Sequence, residues 1–141
     1  MNNMSEESEI VYKNLIFKIN KELNYVEVVI DEVNFSIQES YIPAVSFMLE
    51  FALTIHPKYI IFNREKHKFT IASKLFPFTS NNIISPLKLD GVKKIITIGT
   101  VDEYQRRYRE IEKIEPFIKW AETKQSAIEW IKKNEESTSN S

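Results

Sequence analysis

Residues 59–62 read Tyr-Ile-Ile-Phe, a continuous apolar run that begins two residues after Pro57 and stops at Asn63. A short run without alternating polar residues is typical of a strand that is covered on at least one face and flanked by other strands. We therefore predict a central strand at residues 59–62. The segments before and after it must then supply its neighbours and its cover.

The segments before this strand predict a β-hairpin. Residues 15–19 are mostly apolar, residues 20–24 supply a polar break, and residues 25–30 alternate two sets of side chains. Alternation with a period of two is the pattern of a strand with two different faces. The two sets in the second strand are Val26, Val28 and Ile30 on one side and Tyr25, Glu27 and Val29 on the other.

A helix is predicted between the hairpin and the central strand. Pro43 follows Ser40 closely, and proline is accepted in the first turn of a helix because the amide groups there have no intrahelical partner. The helix should end at His56 and Pro57, since proline stops it. Apolar residues recur between these points at helical spacing: Ile42, Val45, Met48, Leu49, Ala52 and Ile55.

Alternating helices and strands are predicted after residue 75. Residues 75–89 are apolar but contain Pro77 and Pro86, which predicts an irregular or interrupted helix ending at Asp90 and Gly91. Residues 92–98 form the next predicted strand. Thr100 and Glu103 have the spacing of a capping box, so a helix is predicted from Val101.

The last predicted elements are a strand at residues 116–120 and a helix capped by Thr123. The buried side of that helix should carry Ala127, Trp130 and Ile131. The predicted class is therefore α/β: an N-terminal β-hairpin followed by α-β-α-β-α-β-α, with helices packed on a mixed sheet. The crossovers between parallel strands should be right-handed.

The length of 141 residues fits one domain, which we place at residues 10–134. Residues 1–9 and 135–141 are polar, and we predict that both segments are disordered. The acidic start does not have the pattern of a secretory signal, and the longest apolar stretches fall short of the ~20 residues that cross a bilayer. We therefore expect a cytoplasmic protein without membrane insertion.

Composition excludes several kinds of chemistry. The chain has no cysteine, so it contains neither disulfides nor thiolate metal sites. It has two glycines, which is too few for a dinucleotide fingerprint or a phosphate loop. The net charge of -1 argues against a general polyanion binder. We expect no cofactor.

Five features of the sequence belong together: the predicted order of elements, the strand at residues 59–62, the loop from Asn63, the helix after Ser73, and the Gly91-Val92-Lys93-Lys94-Ile95 entry into the next strand. Together they resemble the STAS-like group. These domains are similar to bacterial anti-sigma-factor antagonists and to the cytoplasmic tails of sulfate transporters. The resemblance covers most of the chain, from about residue 15 to about residue 133. It implies a binding module of STAS-like fold.

The phosphorylation element of that family is mostly absent. The resemblance implies an Asp-Ser-Ser-Gly-like element at the start of a helix, with a phosphorylated first serine. Aligning Phe69 with the preceding apolar residue puts Ile71 on the aspartate, Ala72 on the acceptor serine and Ser73 on its neighbour. Asn63 falls on the first acidic position. The sequence therefore does not predict a role that is controlled by a kinase.

The basic loop, residues 63–74, is the leading candidate for a contact surface. Its positive side chains could hold an acidic protein partner or a small anion, since ligands of open α/β sheets gather outside the carboxyl ends of the strands. The more ordinary interpretation is a solvated surface loop. The candidate contact residues are Arg64, Lys66, His67, Lys68, Ser73 and Lys74.

An apolar pocket is the alternative. Phe69, Phe76 and Phe78 crowd around the basic loop and the interrupted helix, and such side chains line pockets for small apolar or lipid-like ligands. The same residues also suit an ordinary core. The alternative function is thus that of a carrier for a small apolar ligand.

Other functional readings are weaker. Arg106 and Arg107 lie between Tyr104 and Tyr108, and Arg109 follows Tyr108. Glu103 stands four residues before Arg107 and Glu110 four residues after Arg106, so we expect a solvated helix and no nucleic acid. His56 suits a helix end, and the lysines beside His67 oppose a bound metal ion. No Gly-x-Ser-x-Gly element supports a hydrolase. A non-enzymatic protein is therefore predicted, and a homodimer is compatible with the sequence.

Paired carboxylates do not change this conclusion. Asp31 and Glu32 lie at a predicted strand end, and Glu135 and Glu136 lie in the predicted tail. Solvation explains such pairs better than general acid–base catalysis does. We therefore assign no catalytic role to them.

Overall fold

The computed structural model describes residues 7–12, 15–30, 38–63, 80–98 and 116–139. These residues form an α/β structure with a six-stranded mixed sheet and three helices. The strands are β1 Glu7–Tyr12, β2 Leu15–Asn20, β3 Tyr25–Ile30, β4 Tyr59–Asn63, β5 Lys94–Ile98 and β6 Ile118–Ala121.

The strands lie side by side in the order in which they occur in the chain. β1 pairs antiparallel with β2 and β2 pairs antiparallel with β3, whereas β3, β4, β5 and β6 run parallel to one another. The predicted hairpin is confirmed as β2 and β3, and the predicted strands around residues 59–62, 92–98 and 116–120 are confirmed with shifted ends. β1 was missed. It begins at Glu7, so residues 7–9, for which disorder was predicted, belong to a strand.

The helices are α1 Gln38–Ile55, α2 Ser85–Asp90 and α3 Lys124–Ser139. α1 ends as predicted but begins earlier, so that Pro43 lies inside the helix rather than in its first turn. A π-helical turn, Ser80–Ile84, leads directly into α2, which confirms an irregular helix for residues 80–90. α3 continues through residues 135–139, which were predicted to be disordered. The predicted helix from Val101 lies outside the described residues.

Helices cover both faces of the sheet. α1, the π-helical turn and α2 pack on the first face, and α3 packs on the second. The first core contains Phe17, Val28, Ile60, Phe62, Val45, Met48, Ala52, Ile84 and Leu87. The second core contains Tyr25, Tyr59, Ile61, Ile96, Ile98, Ala121, Ala127 and Ile131.

β4 is the central strand that the apolar run predicts. All five of its residues are buried, because β3 and β5 flank it and helices cover both of its faces. Ile60 and Phe62 face α1 and α2, while Tyr59 and Ile61 face α3. A strand in this position can carry apolar residues without alternation.

The turn between β2 and β3 connects the hairpin to the start of β4. Asn24 adopts a left-handed conformation with φ 57°, which asparagine tolerates better than most residues do. The Asn20 side chain accepts a hydrogen bond from the Leu23 amide at 2.9 Å, and the Asn24 carbonyl accepts one from the Lys58 amide at 2.9 Å. These bonds fix where β4 enters the sheet.

The ends of α1 and α2 lie close together. His56 ends α1 in a left-handed conformation with φ 58°, and its amide donates to the Ala52 carbonyl at 2.7 Å. Its imidazole Nδ1 lies 3.0 Å from the carboxylate of Asp90, the last residue of α2. His56 lies at the end of α1 as expected, but the contact that its imidazole makes is with Asp90 of α2.

Thr123 caps α3 as predicted. Its hydroxyl accepts a hydrogen bond from the Ser126 amide at 3.0 Å, and the Ser126 hydroxyl accepts one from the Thr123 amide at 3.1 Å. The two residues thus satisfy each other's backbone donors in the manner of a capping box. The reciprocal bonds fix the position at which α3 begins.

Gly91 is predicted to be needed for its backbone conformation alone. It follows α2 with φ 99°, and its amide and that of Val92 donate to the Lys88 and Leu87 carbonyls. A Cβ atom at this position would meet nothing within 4 Å. Gly91→Ala should therefore lower the free energy of unfolding by about 1 kcal/mol through backbone strain.

Chemical denaturation checks this prediction. Gly91→Asn is the matched variant, because asparagine tolerates the left-handed region, and it should destabilise the protein less than Gly91→Ala does. Equal losses in the two variants would contradict the backbone explanation.

Candidate functional site

The basic loop begins at a well-defined place in the fold. Asn63 is the last residue of β4, and the described part of the chain stops there before resuming at Ser80. The candidate contact residues Arg64, Lys66, His67, Lys68, Ser73 and Lys74 lie outside the described residues, as do Phe69, Phe76 and Phe78 of the alternative apolar pocket. Asn63 is the residue of the basic loop that belongs to the described part of the chain.

Asn63 lies at the carboxyl edge of the parallel strands. β3, β4, β5 and β6 run in one direction, so their last residues meet at the same edge of the sheet. α3 begins three residues after β6 ends, which brings its first residue, Lys124, to this edge as well. Ligands of open α/β sheets bind outside this edge.

A buried polar cluster, Glu27, Asn63 and Lys124, occupies the second face at this edge. Asn63 Nδ2 donates to Glu27 Oε2 at 2.7 Å, and Lys124 Nζ lies 2.8 Å from Glu27 Oε1. The side chain of Glu27 is 2% exposed, whereas that of Lys124 is 34% exposed. The carboxylate is therefore held between an amide and an ammonium group beneath the start of α3.

The register of the sheet brings these residues together. Glu27 stands beside Ile61, and Val29 stands beside Asn63, so Glu27 and Asn63 are diagonal neighbours on one face. A buried carboxylate is unfavourable unless it is paired and hydrogen-bonded. The two partners of Glu27 meet this need.

Sequence reasoning missed the burial of Glu27. Alternation placed it opposite Val26 and Val28, which in an isolated hairpin is the solvent side. One signal was present: Tyr25 and Val29, which share its side of β3, are both apolar and both buried. A single charge in an apolar row indicates a covered position with a partner elsewhere in the chain.

The cluster fixes the point where the basic loop leaves the sheet. Asn63 is 8% exposed, and its side-chain amide is directed to Glu27 rather than to solvent. Arg64 is the next residue in the chain. The basic loop thus begins at a hydrogen-bonded residue of the carboxyl edge, beside a carboxylate that is paired with Lys124.

A second polar cluster lies at the opposite, amino edge of the strands. The Tyr59 hydroxyl donates to Glu135 Oε2 at 2.5 Å and accepts from Asn134 Nδ2 at 2.7 Å. Lys58 Nζ and Lys93 Nζ each donate to the Glu135 carboxylate at 3.1 Å. These residues join α3 to the starts of β4 and β5.

The pKa values of Glu135 and Tyr59 suit a structural contact that keeps its charge state at neutral pH. The hydrogen bond from Tyr59, followed by those from Lys58 and Lys93, holds the pKa of Glu135 at about 2, although partial burial acts in the opposite direction. Burial, and then the Glu135 hydrogen bond, raises the pKa of Tyr59 to about 12. At neutral pH the carboxylate stays charged and the phenol stays protonated.

Glu135 therefore has a role that its sequence position did not suggest. It was assigned to a solvated, disordered tail, but it lies in α3 and accepts hydrogen bonds from three side chains. Its partner Tyr59 is 76 residues away in the chain. The composition of the tail carries no sign of this contact. Asp31 and Glu32, the other carboxylate pair, lie outside the described residues.

Among the described residues, no group of three or more histidine, cysteine, aspartate and glutamate side chains is arranged to hold a metal ion. His56 contacts one carboxylate, that of Asp90, and His67 lies outside these residues. No single helix in the described part of the chain is both long enough and apolar enough to cross a bilayer.

An open groove of about 220 Å³ lies beside β6, away from the carboxyl edge. Its ammonium groups already have contacts: Lys94 Nζ donates to the Pro116 carbonyl, and Lys119 Nζ lies 5.4 Å from the centre of the Trp130 ring. The groove is lined by Lys94, Pro116, Ile118, Lys119 and Trp130. We do not assign a ligand to it.

Comparisons with protein-family models, with curated proteins and with solved structures give no match for this chain.

Lys124→Ala should lower the free energy of unfolding by about 1–3 kcal/mol, because it leaves the buried Glu27 carboxylate with one fewer partner. Adding Glu27→Gln should restore part of the loss, since the unpaired charge is then removed. Urea denaturation of the single and double variants measures this coupling.

Lys133→Ala provides the control for that cycle. Lys133 is exposed on α3, so its loss should change the free energy by less than about 0.5 kcal/mol. Strictly additive effects of Lys124→Ala and Glu27→Gln would show that the two side chains do not interact.

Glu135→Gln should lower the free energy of unfolding by about 1–2 kcal/mol near neutral pH, where the native carboxylate accepts charge-assisted hydrogen bonds. The folded pKa of about 2 lies below the ordinary 4.5, so the native advantage exists above the ordinary value and is lost as pH falls toward 2. The difference between wild type and variant should narrow across that window.

Denaturation at a series of pH values measures the narrowing. Glu136→Gln removes the same charge from the next, exposed residue and should leave the free energy nearly unchanged at every pH. A wild-type advantage that stays constant down to pH about 2 would contradict the role assigned to Glu135.

Proposed function

We propose that this chain is a non-enzymatic, STAS-like binding module that holds an acidic protein partner or a small anion through the basic loop. The observation that carries the proposal is the position of Asn63. It ends the central strand at the carboxyl edge, is fixed by Glu27, and is followed in the chain by Arg64, Lys66, His67 and Lys68.

The electrostatic setting supports an anionic target. Asn63, the first residue of the basic loop, carries a neutral amide rather than a carboxylate. The buried Glu27 carboxylate nearby is paired with Lys124 Nζ at 2.8 Å. The positive charges that follow Asn63 are therefore not offset by Glu27. A concentrated positive segment at a sheet edge attracts anionic groups and speeds their encounter.

The arrangement of the described polar groups supports binding rather than catalysis. Glu27 is held by Asn63 and Lys124, and Glu135 is held by Tyr59 and two lysines. A general acid or base needs a pKa near the working pH. The pKa values of about 2 for Glu135 and about 12 for Tyr59 are far from neutrality.

The STAS-like part of the proposal is supported by the arrangement of the sheet. From β2 to β5 the described elements follow the order on which the resemblance rests, and β1 is an additional strand before them. Gly91 introduces β5 as the resemblance requires. Ala72 stands in place of the acceptor serine, so the proposed module binds without a phosphorylation switch at that position.

Removal of the charges at Arg64, Lys66 and Lys68 tests the proposal. The triple alanine variant should weaken capture of the partner from a native lysate about tenfold, at about 0.5 kcal/mol for each charge, and capture should also fall as salt rises. Quantitative mass spectrometry of the captured proteins gives the measurement, and circular dichroism confirms the fold.

A control variant removes three charges elsewhere. Lys21, Lys132 and Lys133 are exposed, and their triple alanine variant has the same net charge as the test variant. It should retain capture. Competition by inorganic phosphate distinguishes a small-anion site from a protein surface. Equal capture by wild type and both variants at every salt level would refute a role for the basic loop.

A further inference from the structure

The two edges of the sheet differ in how they are protected. β6 has four residues and carries Lys119, and short, charged edge strands resist pairing with another chain. β1 has six residues and pairs along its full length with β2 on one side. Within the described residues, β2 is the strand that pairs with β1.

β1 exposes apolar side chains. Val11 is 63% exposed and Ile10 is 41% exposed, and the other large apolar residue of comparable exposure in the described part of the chain is Leu89 in α2. Ile10 continues the first face beside Phe17, and Val11 continues the second face beside Ile16. Both faces of the sheet therefore end at this edge with an uncovered aliphatic residue.

The length of the turn after β1 determines which backbone groups point outward. β1 ends at Tyr12 and β2 begins at Leu15, and a two-residue hairpin loop closes on a hydrogen-bonded pair. Tyr12, Ile10 and Ser8 therefore direct their amide and carbonyl groups toward β2. The alternate residues Glu7, Glu9 and Val11 present theirs to the outer edge.

These outward groups restrict how two copies of β1 can pair. In an antiparallel pair, outward residues must face outward residues. Placing Glu9 opposite Glu9 or Glu7 opposes like charges, which is unfavourable. Placing Val11 opposite Val11 shortens the overlap within the strand to residues 10–12. One register remains, in which Val11 faces Glu9 of the second copy and Ile10 faces Ile10.

We propose that two copies of this chain associate through β1 in that register, around a two-fold axis at Ile10. The pairing joins the two sheets, satisfies the outward backbone groups of Glu9 and Val11 in both strands, and covers Ile10 and Val11 of each copy. A two-fold axis makes the contact self-complementary and closed, so it forms a dimer rather than a fibre.

Opposite charges at position 11 provide the test. Val11→Glu places a carboxylate opposite Glu9 of the second copy, whereas Val11→Lys places an ammonium group there. Both variants lose the same apolar contact, but their dimer dissociation constants should differ by about tenfold, with the lysine variant tighter, because the contact occurs twice. Adding Glu9→Lys to Val11→Glu should restore the dimer.

Sedimentation equilibrium over a range of concentrations measures the dissociation constants. The wild type should pass from the monomer mass of 16.6 kDa to twice that mass. Leu89→Glu is the control, since it places a charge on an 89% exposed apolar residue of α2 and should not alter the association. Circular dichroism melting verifies that each variant is folded.

Two results would overturn the proposal. A wild-type protein that stays at the monomer mass at the highest attainable concentration excludes the second copy as the occupant of this edge. A dimer that Val11→Glu and Val11→Lys weaken equally, without restoration by Glu9→Lys, excludes this register.

Discussion

The burial of β4 on both faces is the constraint on which the rest of the structure depends. Five consecutive buried residues require a strand on each side and a layer of helix above and below. α1 and α2 provide one layer, and α3 provides the other by running back across the strands from the carboxyl edge to the amino edge. The polar clusters at Glu27 and Glu135 hold the two ends of α3 in place.

Local patterns were sufficient for much of this fold. The alternation in β3, the helical spacing in α1, the proline and glycine at the element ends and the cap at Thr123 all act within a few residues, so the sequence displays them. β1 was missed because Glu7, Ser8 and Glu9 resemble a solvated tail. Its place in the sheet comes from pairing with β2, in which every residue of the strand has a partner.

The candidate site was harder to predict because its contacts are long-range. Glu27 and Asn63 are separated by 36 residues, and Glu135 and Tyr59 by 76. Neither separation leaves a periodic signal, and a carboxylate on the polar side of a hairpin is indistinguishable from one that a later helix will cover. The basic loop, in contrast, is visible as composition alone, which identifies its charge but not its geometry.

The position of α3 at the end of the described chain affects the order of events during synthesis. The chain emerges from the ribosome with β4 complete long before α3 exists, so the first face can be covered by α1 while Tyr59 and Ile61 on the second face still lack their helix. A nascent chain in that state exposes apolar residues of a central strand. Exposed apolar surface of this kind favours aggregation, and it is covered once the segment from Lys124 to Glu135 has been translated and has docked.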